Sequence, residues 1–434
     1  MDIPFSKHTL ANGLDVLLHE EHGCPIVAVN IWYHVGSKNE RPGHTGFAHL
    51  FEHLMFEGSE HHDSGFFQPL QAAGASLNGS TNADRTNYWE VVPASALDLA
   101  LWMESDRMGF LLPALTEQKF LNQRDVVLNE RRQNYENRPY GLASMAMLAT
   151  LFPDDHPYHW STIGEVADLN AAKLDEVHEF FRRYYHPANA SIVLAGDFDS
   201  DAALAMVRSY FEGIVPGAPV ERVNVTASID AERRILLEDR VELPRLYLAW
   251  MTPPMFAEGD ADLDLATDLL ANGKTSRLYR RLVYDERIAT DVSASQSSRE
   301  MSSFVQMSAT AAPGHTLTEI DRVITEEIAR VANDGPTDDE IERGRVQAET
   351  QFVQRLQTVG GFGGKSDQLN AYNTFLGRAD YFTEDLARYE RVTKASLQGT
   401  VAKYIHGSHR VALSVVPRGR TDLALADSSP VSVS

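Results

Sequence analysis

The 434-residue chain contains a single cysteine, Cys24. One thiol excludes both an intramolecular disulfide framework and a cysteine-rich zinc site, because each of these needs several thiols. Cys24 precedes the apolar run PIVAVNIWYHV. A lone thiol next to an apolar strand is usually a small buried hydrophobic residue, so we expect Cys24 to be buried.

Basic residues are scarce relative to acidic ones. The chain has 39 Lys and Arg against 61 Asp and Glu, a formal net charge of -22. Proteins that bind nucleic acids use clustered Lys and Arg on the phosphates, so this balance argues against a nucleic-acid partner. An acidic surface is also a common means of keeping a protein soluble.

Long apolar runs are absent as well. Nowhere do about 18 apolar residues follow one another, so no transmembrane helix and no membrane partner are expected. The first residues, MDIPFSKHTLANG, lack a basic stretch followed by an apolar core, so they do not resemble a signal peptide. We expect a cytoplasmic protein, although a leader removed earlier would leave the same sequence.

The length predicts two or more domains. Residues 213–231 read GIVPGAPVERVNVTASIDA, with two prolines, two glycines and no helical period. We therefore predict a linker at residues 216–232 between an N-terminal domain, 1–215, and a C-terminal domain, 233–434. Both halves show the same order of strand-like and helical runs, and each closes on an apolar strand (ASIVLAGDF and RVALSVVP). This order indicates a duplication.

The stretch HLFEH, His49 to His53, carries the strongest chemical signal. Residues 45–58 are predicted to form a helix, with Thr45 as the N-cap and Gly58 as the stop. Apolar residues recur there at helical spacing and form one stripe: Phe47, Leu50, Phe51, Leu54 and Met55. At about 100° per residue, His49, Glu52 and His53 share the opposite face.

This arrangement suits zinc hydrolysis. Two imidazoles one helical turn apart can reach one ion, and the glutamate between them can accept a proton from an attacking water. The pattern H-x-x-E-H is a known zinc-enzyme signature. In a chain with sixteen histidines, the same residues could instead be the solvated face of an amphipathic helix. A third ligand is needed to decide between the two.

Glu130, in the stretch NERRQNYENRP, follows His53 by 77 positions. With the H-x-x-E-H helix, this spacing resembles the pitrilysin-type (inverzincin) zinc metallopeptidases, which include insulin-degrading enzyme and mitochondrial processing peptidase. The segments HPYHWSTIGEVADL and GKTSRLYRRLVYDE follow in family order. At this length the chain resembles the short, two-domain members, such as the zinc-bearing subunit of the processing peptidase.

The resemblance implies an α+β fold of two homologous domains, each a mostly antiparallel sheet packed by helices. It implies that His49, His53 and Glu130 bind Zn²⁺ and that Glu52 is the catalytic general base. The activity it implies is a zinc metalloendopeptidase that hydrolyses extended or unfolded peptides. Many family members also carry an acid seven positions before the distal ligand, where this chain has Gln123. An amide can still hydrogen-bond a ligand histidine; an ordinary helix residue is the alternative.

The segment LNGSTNADRTNYW is similar to the edge strand on which the family docks its substrates. A peptide adds to such an edge through main-chain hydrogen bonds. The resemblance makes Asn78, Gly79 and Ser80 candidate substrate contacts. Without it, the segment is typical of a polar strand and turn.

One family feature is absent. Active members carry an arginine and, seven residues later, a tyrosine in the C-terminal half, where they bind substrate and the developing oxyanion. Val283 and Thr290 occupy those positions here. Losing one such donor typically costs about 3–4 kcal/mol. The resemblance therefore implies a heterodimer in which a homologous partner supplies the Arg/Tyr pair. The alternatives are a non-catalytic core or assembly subunit, or a zinc hydrolase of small molecules.

The glycine-rich segment VGGFGGKSD resembles the end of a phosphate-binding loop. Val359 stands where that pattern needs its first glycine, so the match fails. We expect a turn between helices, with a loop that guides substrate as the alternative.

Overall fold

The computed structural model describes residues 2–433, which form twelve strands and fourteen α-helices. The strands are β1 Ser6–Thr9, β2 Asp15–Glu20, β3 Ile26–Tyr33, β4 Ser76–Thr81, β5 Thr86–Pro93, β6 Ala190–Gly196, β7 Arg233–Asp239, β8 Arg245–Thr252, β9 Ala289–Ser297, β10 Ser303–Ala311, β11 Val411–Pro417 and β12 Ser429–Pro430. The helices are α1 Phe47–Leu54, α2 Phe67–Ala72, α3 Leu97–Ala114, α4 Glu117–Arg131, α5 Ala143–Leu151, α6 Val166–Ala171, α7 Leu174–Tyr184, α8 Ser200–Phe211, α9 Asp260–Ala271, α10 Leu317–Asp334, α11 Asp338–Arg355, α12 Lys365–Leu376, α13 Phe382–Glu390 and α14 Lys394–Val401.

The strands form two six-stranded sheets with matching strand orders. The first sheet runs β1-β2-β6-β3-β5-β4 and the second runs β12-β7-β11-β8-β10-β9. In each sheet the second and third strands pair in parallel, and the last three pairings are antiparallel. The predicted α+β class with two homologous sheet-and-helix domains is confirmed, and both sheets are mixed.

The internal contacts divide the chain into two compact units. The first comprises the chain up to Glu130, Ser161–Val223 and Gln351–Glu384; the second comprises Arg131–Trp160, Asn224–Thr350 and the chain from Asp385 onward. The change at Val223 lies inside the segment predicted as a linker. Residues 131–160 belong to the second unit and residues 351–384 belong to the first. The contiguous domains predicted at 1–215 and 233–434 do not include this exchange.

In the first unit, β3 is covered on both faces, as its unbroken apolar sequence requires. Trp32 points toward α12: its Nε1 donates to Asp367 Oδ1 at 2.9 Å, and its ring meets Phe375 edge-on. The next residue, Tyr33, faces the other way and packs against Tyr185, with ring centroids 4.9 Å apart. The alternation of side chains along a strand thus fixes two helical layers on this sheet.

In the second unit, the core lies between the sheet and helices α9, α10 and α14. Its buried members are mainly aliphatic, such as Leu246 and Leu248 on β8 and Ile320 and Val323 on α10. Their spacing of two on the strand and three on the helix matches the period of each element.

Two minor expectations are settled by the structure. Cys24 is exposed, because it precedes β3 rather than lying within it, so the prediction of a buried thiol was wrong. The glycine-rich segment joins α11 to α12, as expected. None of the helices within residues 2–433 has the length and apolar character needed to cross a membrane.

Candidate metal centre

Helix α1 is held in the first unit by its apolar stripe. All five predicted stripe residues, from Phe47 to Met55, are buried, as expected. Phe51 stacks on Phe180 of α7, with centroids 5.6 Å apart and ring planes 19° apart. Because the stripe fixes the rotation of the helix, the opposite face bearing His49 and His53 has one defined direction.

The start of α1 differs from the prediction. The helix begins at Phe47, after Gly46 at φ 87°, a left-handed conformation that favours glycine. Glu40 accepts hydrogen bonds from the backbone N–H groups of Gly46 (2.9 Å) and Ala48 (2.8 Å). Thr45 is not the cap, because its hydroxyl donates to Asp168 instead. A glutamate distant from the helix thus binds the first N–H groups.

The three candidate ligands converge on one point. The Nε2 atoms of His49 and His53 lie 3.6 Å and 3.5 Å from Oε2 of Glu130. Ligand atoms from all three residues lie within 4.8 Å of one another. The two imidazole rings are 4.9 Å apart and nearly perpendicular. Helix α4 carries Glu130 in its last turn, so two helices build the cluster.

These residues fit a zinc ion. Two imidazole nitrogens and a carboxylate oxygen form a typical catalytic ligand set that leaves a fourth position open. Ligands about 2.0–2.1 Å from a tetrahedral ion are about 3.4 Å from one another, close to the two separations measured from Glu130. Both the donor types and the distances between them therefore fit a zinc ion.

The two histidines differ in how strongly a proton competes with a metal for them. Burial lowers the pKa of His49 to about 4, helped by the charge of His53, so His49 is neutral at neutral pH. Burial also acts to lower the pKa of His53, but its hydrogen bond to Glu130 and the charges of Glu52 and Glu130 raise it overall. A raised pKa means that a proton competes with a metal for His53 more than it does for His49.

Glu52 lies in the same cluster but outside the ligand set. Burial raises the pKa of the Glu52 carboxyl, against the opposing charges of His53 and Arg85. A carboxyl group with a raised pKa is a better proton acceptor than a surface glutamate. Its position suits the predicted role of general base.

Gln123 is placed beside the ligands rather than on a free helix surface. Its Nε2 donates a hydrogen bond to Oε1 of Glu57, and Gln123 also acts to raise the pKa of His53. The sequence left its role open between a hydrogen-bonding neighbour and an ordinary helix residue. The structure favours the neighbour, with Glu57 supplying the negative charge that Gln123 lacks.

The candidate docking segment forms β4, an edge strand of the first sheet that packs against α1. Asn78 and Gly79 lie opposite Trp89 and Tyr88 of β5. A Cβ on Gly79 would approach the Tyr88 ring to 3.0 Å, so the position requires glycine or a shift of the ring. The outer edge of β4 offers main-chain groups to a peptide.

Ser80 is more constrained than expected. Its carbonyl oxygen and its hydroxyl both accept hydrogen bonds from Nη1 of Arg85, at 2.8 and 2.6 Å. Arg85 also acts on the pKa of Glu52. Arg85 was not predicted from the sequence, because its approach to Glu52 depends on the β4–β5 turn folding back. The adjacency of Asp84 and Arg85 to the docking strand was the available signal.

Two models of one peptidase family match the chain. A model described as Insulinase (Peptidase family M16) matches residues 15–158, and one described as Peptidase M16 inactive domain matches residues 171–347. Together the two matches span most of the sequence. The chain belongs to peptidase family M16. The family resemblance stated from the motifs is thereby confirmed.

Individual relatives agree with the M16 assignment. The chain is 27% identical to the zinc protease PqqE of Helicobacter pylori over 379 residues, covering 86% of this chain and 85% of the relative. The crystal structure of a protease from Helicobacter pylori matches with a TM-score of 0.88 at 24% identity, over 96% of this chain and 100% of that chain. The periplasmic protease PqqL from Escherichia coli matches with a TM-score of 0.79 at 17% identity, over 98% of this chain and 50% of PqqL. The two structures show a shared M16 fold.

The positions of the missing M16 Arg/Tyr pair lie in the second unit. Val283 packs against the hydrophobic core, and Thr290 is exposed near the start of β9. The nearby Tyr284 is 71% exposed, and Arg287 donates a hydrogen bond to the Tyr284 carbonyl oxygen. Neither position presents a guanidinium or a phenol.

Proposed function

We propose that the chain is a zinc-dependent endopeptidase that hydrolyses extended or unfolded peptides. The observation that carries the proposal is the convergence of His49, His53 and Glu130 beside the buried carboxyl of Glu52. Relatives named zinc proteases, such as PqqE, support the same assignment. The position of the cluster on a helix that packs against an edge strand favours a peptide as the substrate.

In this mechanism His49, His53 and Glu130 would hold a zinc ion. Zinc, when bound, supplies Lewis-acid polarisation of the scissile carbonyl and lowers the pKa of the attacking water. Glu52 accepts a proton from that water, because burial gives its carboxyl a raised pKa. The same carboxyl group then delivers the proton to the departing amide nitrogen.

The edge strand β4 orients the substrate. A peptide added alongside Asn78 and Gly79 would continue the first sheet by one strand. Main-chain pairing alone is tolerant of sequence, so we expect broad specificity and a need for an extended backbone. Most main-chain groups of a folded protein are already paired, so we expect unfolded peptides to be the better substrates.

Glu52→Gln tests the function. We expect peptide turnover to fall by roughly 10²–10⁴ while zinc binding is retained, because the amide cannot accept a proton. Glu60→Gln, which changes an exposed residue, is the matched control and should keep full turnover. Cleavage of a peptide mixture followed by mass spectrometry is the measurement. Equal cleavage by Glu52→Gln and the wild type would reject the assignment.

We further propose that the active form is a heterodimer in which a homologous subunit supplies the missing Arg/Tyr pair. Two observations support this: Val283 and Thr290 cannot replace the pair, and the longer PqqL chain is twice the span that this chain matches. The purified single chain should be weakly active. Copurification with a homologue that carries the pair would support the proposal, and full activity of the single chain would reject it.

A non-catalytic core or assembly subunit is the second candidate. It is favoured by one observation, the match of residues 171–347 to a model described as an inactive domain. That match leaves out the cluster of His49, His53 and Glu130, which is complete. A chain that binds zinc but cleaves no peptide, with or without its homologue, would favour this second candidate.

A further inference from the structure

The second unit contains a cavity of about 530 Å³ whose lining is unusual for this chain. The lining residues are Asn134, Tyr135, Arg138, Pro139, Tyr140, Gly141, Ser144, Arg245 and Tyr247. Two of them are arginines, three are tyrosines and none is acidic. In a chain with 61 acidic and 39 basic residues, a lining that has two arginines and no carboxylate differs from the composition of the chain as a whole.

The wall of this cavity is held in a strained conformation. Tyr140 has φ 61°, a left-handed backbone angle that residues other than glycine rarely adopt. Its backbone N–H donates to Asp239 Oδ2 at 2.8 Å, and its hydroxyl donates to the Leu243 carbonyl oxygen at 2.8 Å. Such strain persists only where the surroundings enforce it, and it is concentrated at functional sites.

Arg245 is oriented by several contacts. Its guanidinium lies over the Tyr140 ring, 4.0 Å from the centroid, and its Nε donates to Thr310 Oγ1 at 2.7 Å. Tyr247, two residues further along β8, accepts a hydrogen bond from Nη1 of Arg245 at 3.5 Å. Asp291 lies 3.7 Å from Arg245 and offsets part of its charge. Arg245 and Tyr247 share one strand face, so both reach the cavity.

Arg138 is the second arginine of the cavity, and no acidic side chain pairs with it in residues 2–433. Its side chain is exposed, and it forms no hydrogen bond or ion pair with any residue of the described range 2–433. A guanidinium carries five N–H donors in a planar fork that matches a carboxylate. Arg138 lines the cavity together with the oriented pair, Arg245 and Tyr247.

We propose that this cavity binds a carboxylate group of a peptide, with Arg138 as the main contact and Arg245 and Tyr247 as oriented donors. The peptide as ligand rests on the proposed function; the preference for a carboxylate rests on the lining alone. Arg245 and Tyr247 stand at sequence positions other than 283 and 290, and in this proposal they bind a carboxylate of the peptide rather than the oxyanion that the missing pair would bind. Asp291, which contacts Arg245, directly follows the position of the missing tyrosine.

The carboxylate has two sources, a free C-terminus or an acidic side chain, and three peptides separate them. The first lacks Asp and Glu and has a free C-terminus; the second is the same peptide with an amidated C-terminus. The third is amidated and carries one internal Glu. All three are unlabelled and are titrated by calorimetry against the full chain carrying Glu52→Gln, so that binding is measured without cleavage and without a dye that carries its own carboxylate.

We expect one or both carboxylate-bearing peptides to bind about tenfold tighter than the neutral one, the effect typical of a charge-assisted hydrogen bond. Arg138→Gln should remove this preference, and Tyr247→Phe should reduce it. Arg418→Gln, which removes an exposed arginine of the same unit, should leave the preference unchanged. Tighter binding of the first peptide assigns a C-terminal carboxylate, and tighter binding of the third assigns an acidic side chain.

Equal binding of all three peptides would overturn the proposal, as would an undiminished preference in Arg138→Gln. Because Arg138 is exposed, Arg138→Gln should fold normally, and a lost carboxylate preference would not be due to misfolding. The Arg418→Gln control checks for a general effect of charge. A carboxylate preference in a chain that cleaves no peptide would refute the proposed function alone. Cleavage without a preference would refute this site alone.

Discussion

Gln123 and Glu57 form a hydrogen-bonded pair beside the candidate histidine ligands. Because Nε2 of Gln123 donates to Glu57, the amide is oriented with its carbonyl oxygen available to accept an N–H. A ligand histidine whose second N–H is held in this way keeps its ring orientation and is a stronger base. An amide linked to a carboxylate thus takes the place of the acid that many family members carry here.

This arrangement predicts the effect of Gln123→Ala. We expect the zinc affinity to fall by about tenfold, because the ring of His53 loses its neighbour. Gln118→Ala, an exposed change on the same helix, is the control. Competition with a chromophoric chelator measures both affinities. An unchanged zinc affinity in Gln123→Ala would show that the amide has no part in the metal centre.

The sequence was sufficient to predict the candidate ligands, which the structure brings together, but not the residues around them. His49, Glu52 and His53 could be predicted because a helix places them on one face, and Glu130 because its surrounding motif is specific. Glu57 and Arg85 could not be predicted in the same way. The turn after α1 brings Glu57 to the cluster, and the β4–β5 turn brings Arg85. Neither approach can be read from the periodicity of a helix or strand.

Among the elements, α1 shows where pattern and structure diverge. The apolar stripe was predicted because it follows the helical period. The N-terminus was misplaced, because Thr45 binds Asp168 and both carboxylate oxygens of Glu40 take the cap position. A capping residue six to eight positions before the N–H groups that it binds leaves no signal in a search for a local cap.

Glu40→Ala should therefore destabilise the protein. Two N–H groups at the start of α1 would lose their acceptor in a buried setting, at a cost of about 1–3 kcal/mol. Urea unfolding of the zinc-free chain measures the change, with the exposed Glu60→Ala as the control of equal charge. A midpoint equal to that of the control would contradict the capping role.

Strand β5 and helix α3 bury a charged group at their contact. Arg107 is 1% exposed, lies 3.8 Å from the Phe66 ring centroid and pairs with Glu104. Glu90 of β5 lies nearby, and burial together with the charge of Glu104 raises its pKa well above its usual range. Glu90 is therefore protonated in the folded protein at a pH where the unfolded chain has lost that proton.

The raised pKa of Glu90 has a defined effect on stability. The native state binds this proton more tightly than the unfolded state, so the stabilisation is complete below about pH 4.3 and is lost as pH rises through the folded pKa. Between about pH 4.3 and the folded pKa of Glu90, the free energy of unfolding of Glu90→Gln should rise relative to that of the wild type by up to about 1.4 kcal/mol per pH unit.

Urea unfolding of the zinc-free chain at several pH values tests this dependence. The difference between Glu90→Gln and the wild type should be smallest near pH 4 and should favour the variant at neutral pH. The exposed Glu60→Gln serves as the control. A difference that stays constant with pH would contradict the burial of a protonated carboxyl.

At the scale of the whole molecule, the repeated strand order could be predicted and the exchange of segments could not. Strand runs and helical runs recur in both halves of the sequence, and the two sheets repeat that order. Residues 351–384 nevertheless belong to the first unit. They are held there by contacts such as Asn370 Nδ2 to the Asn30 carbonyl oxygen at 2.8 Å. Periodicity shows that a helix is amphipathic, but it does not show which sheet the helix covers.

The zinc content of the purified chain is the sharpest test of the metal centre. We expect one zinc ion per chain in the wild type and in Glu52→Gln, because Glu52 lies outside the proposed ligand set. Glu130→Ala should bind zinc at least about tenfold more weakly, because one of three converging donors is lost. A wild type that binds no zinc, or a Glu130→Ala variant that binds it equally well, would show that His49, His53 and Glu130 do not form a zinc site.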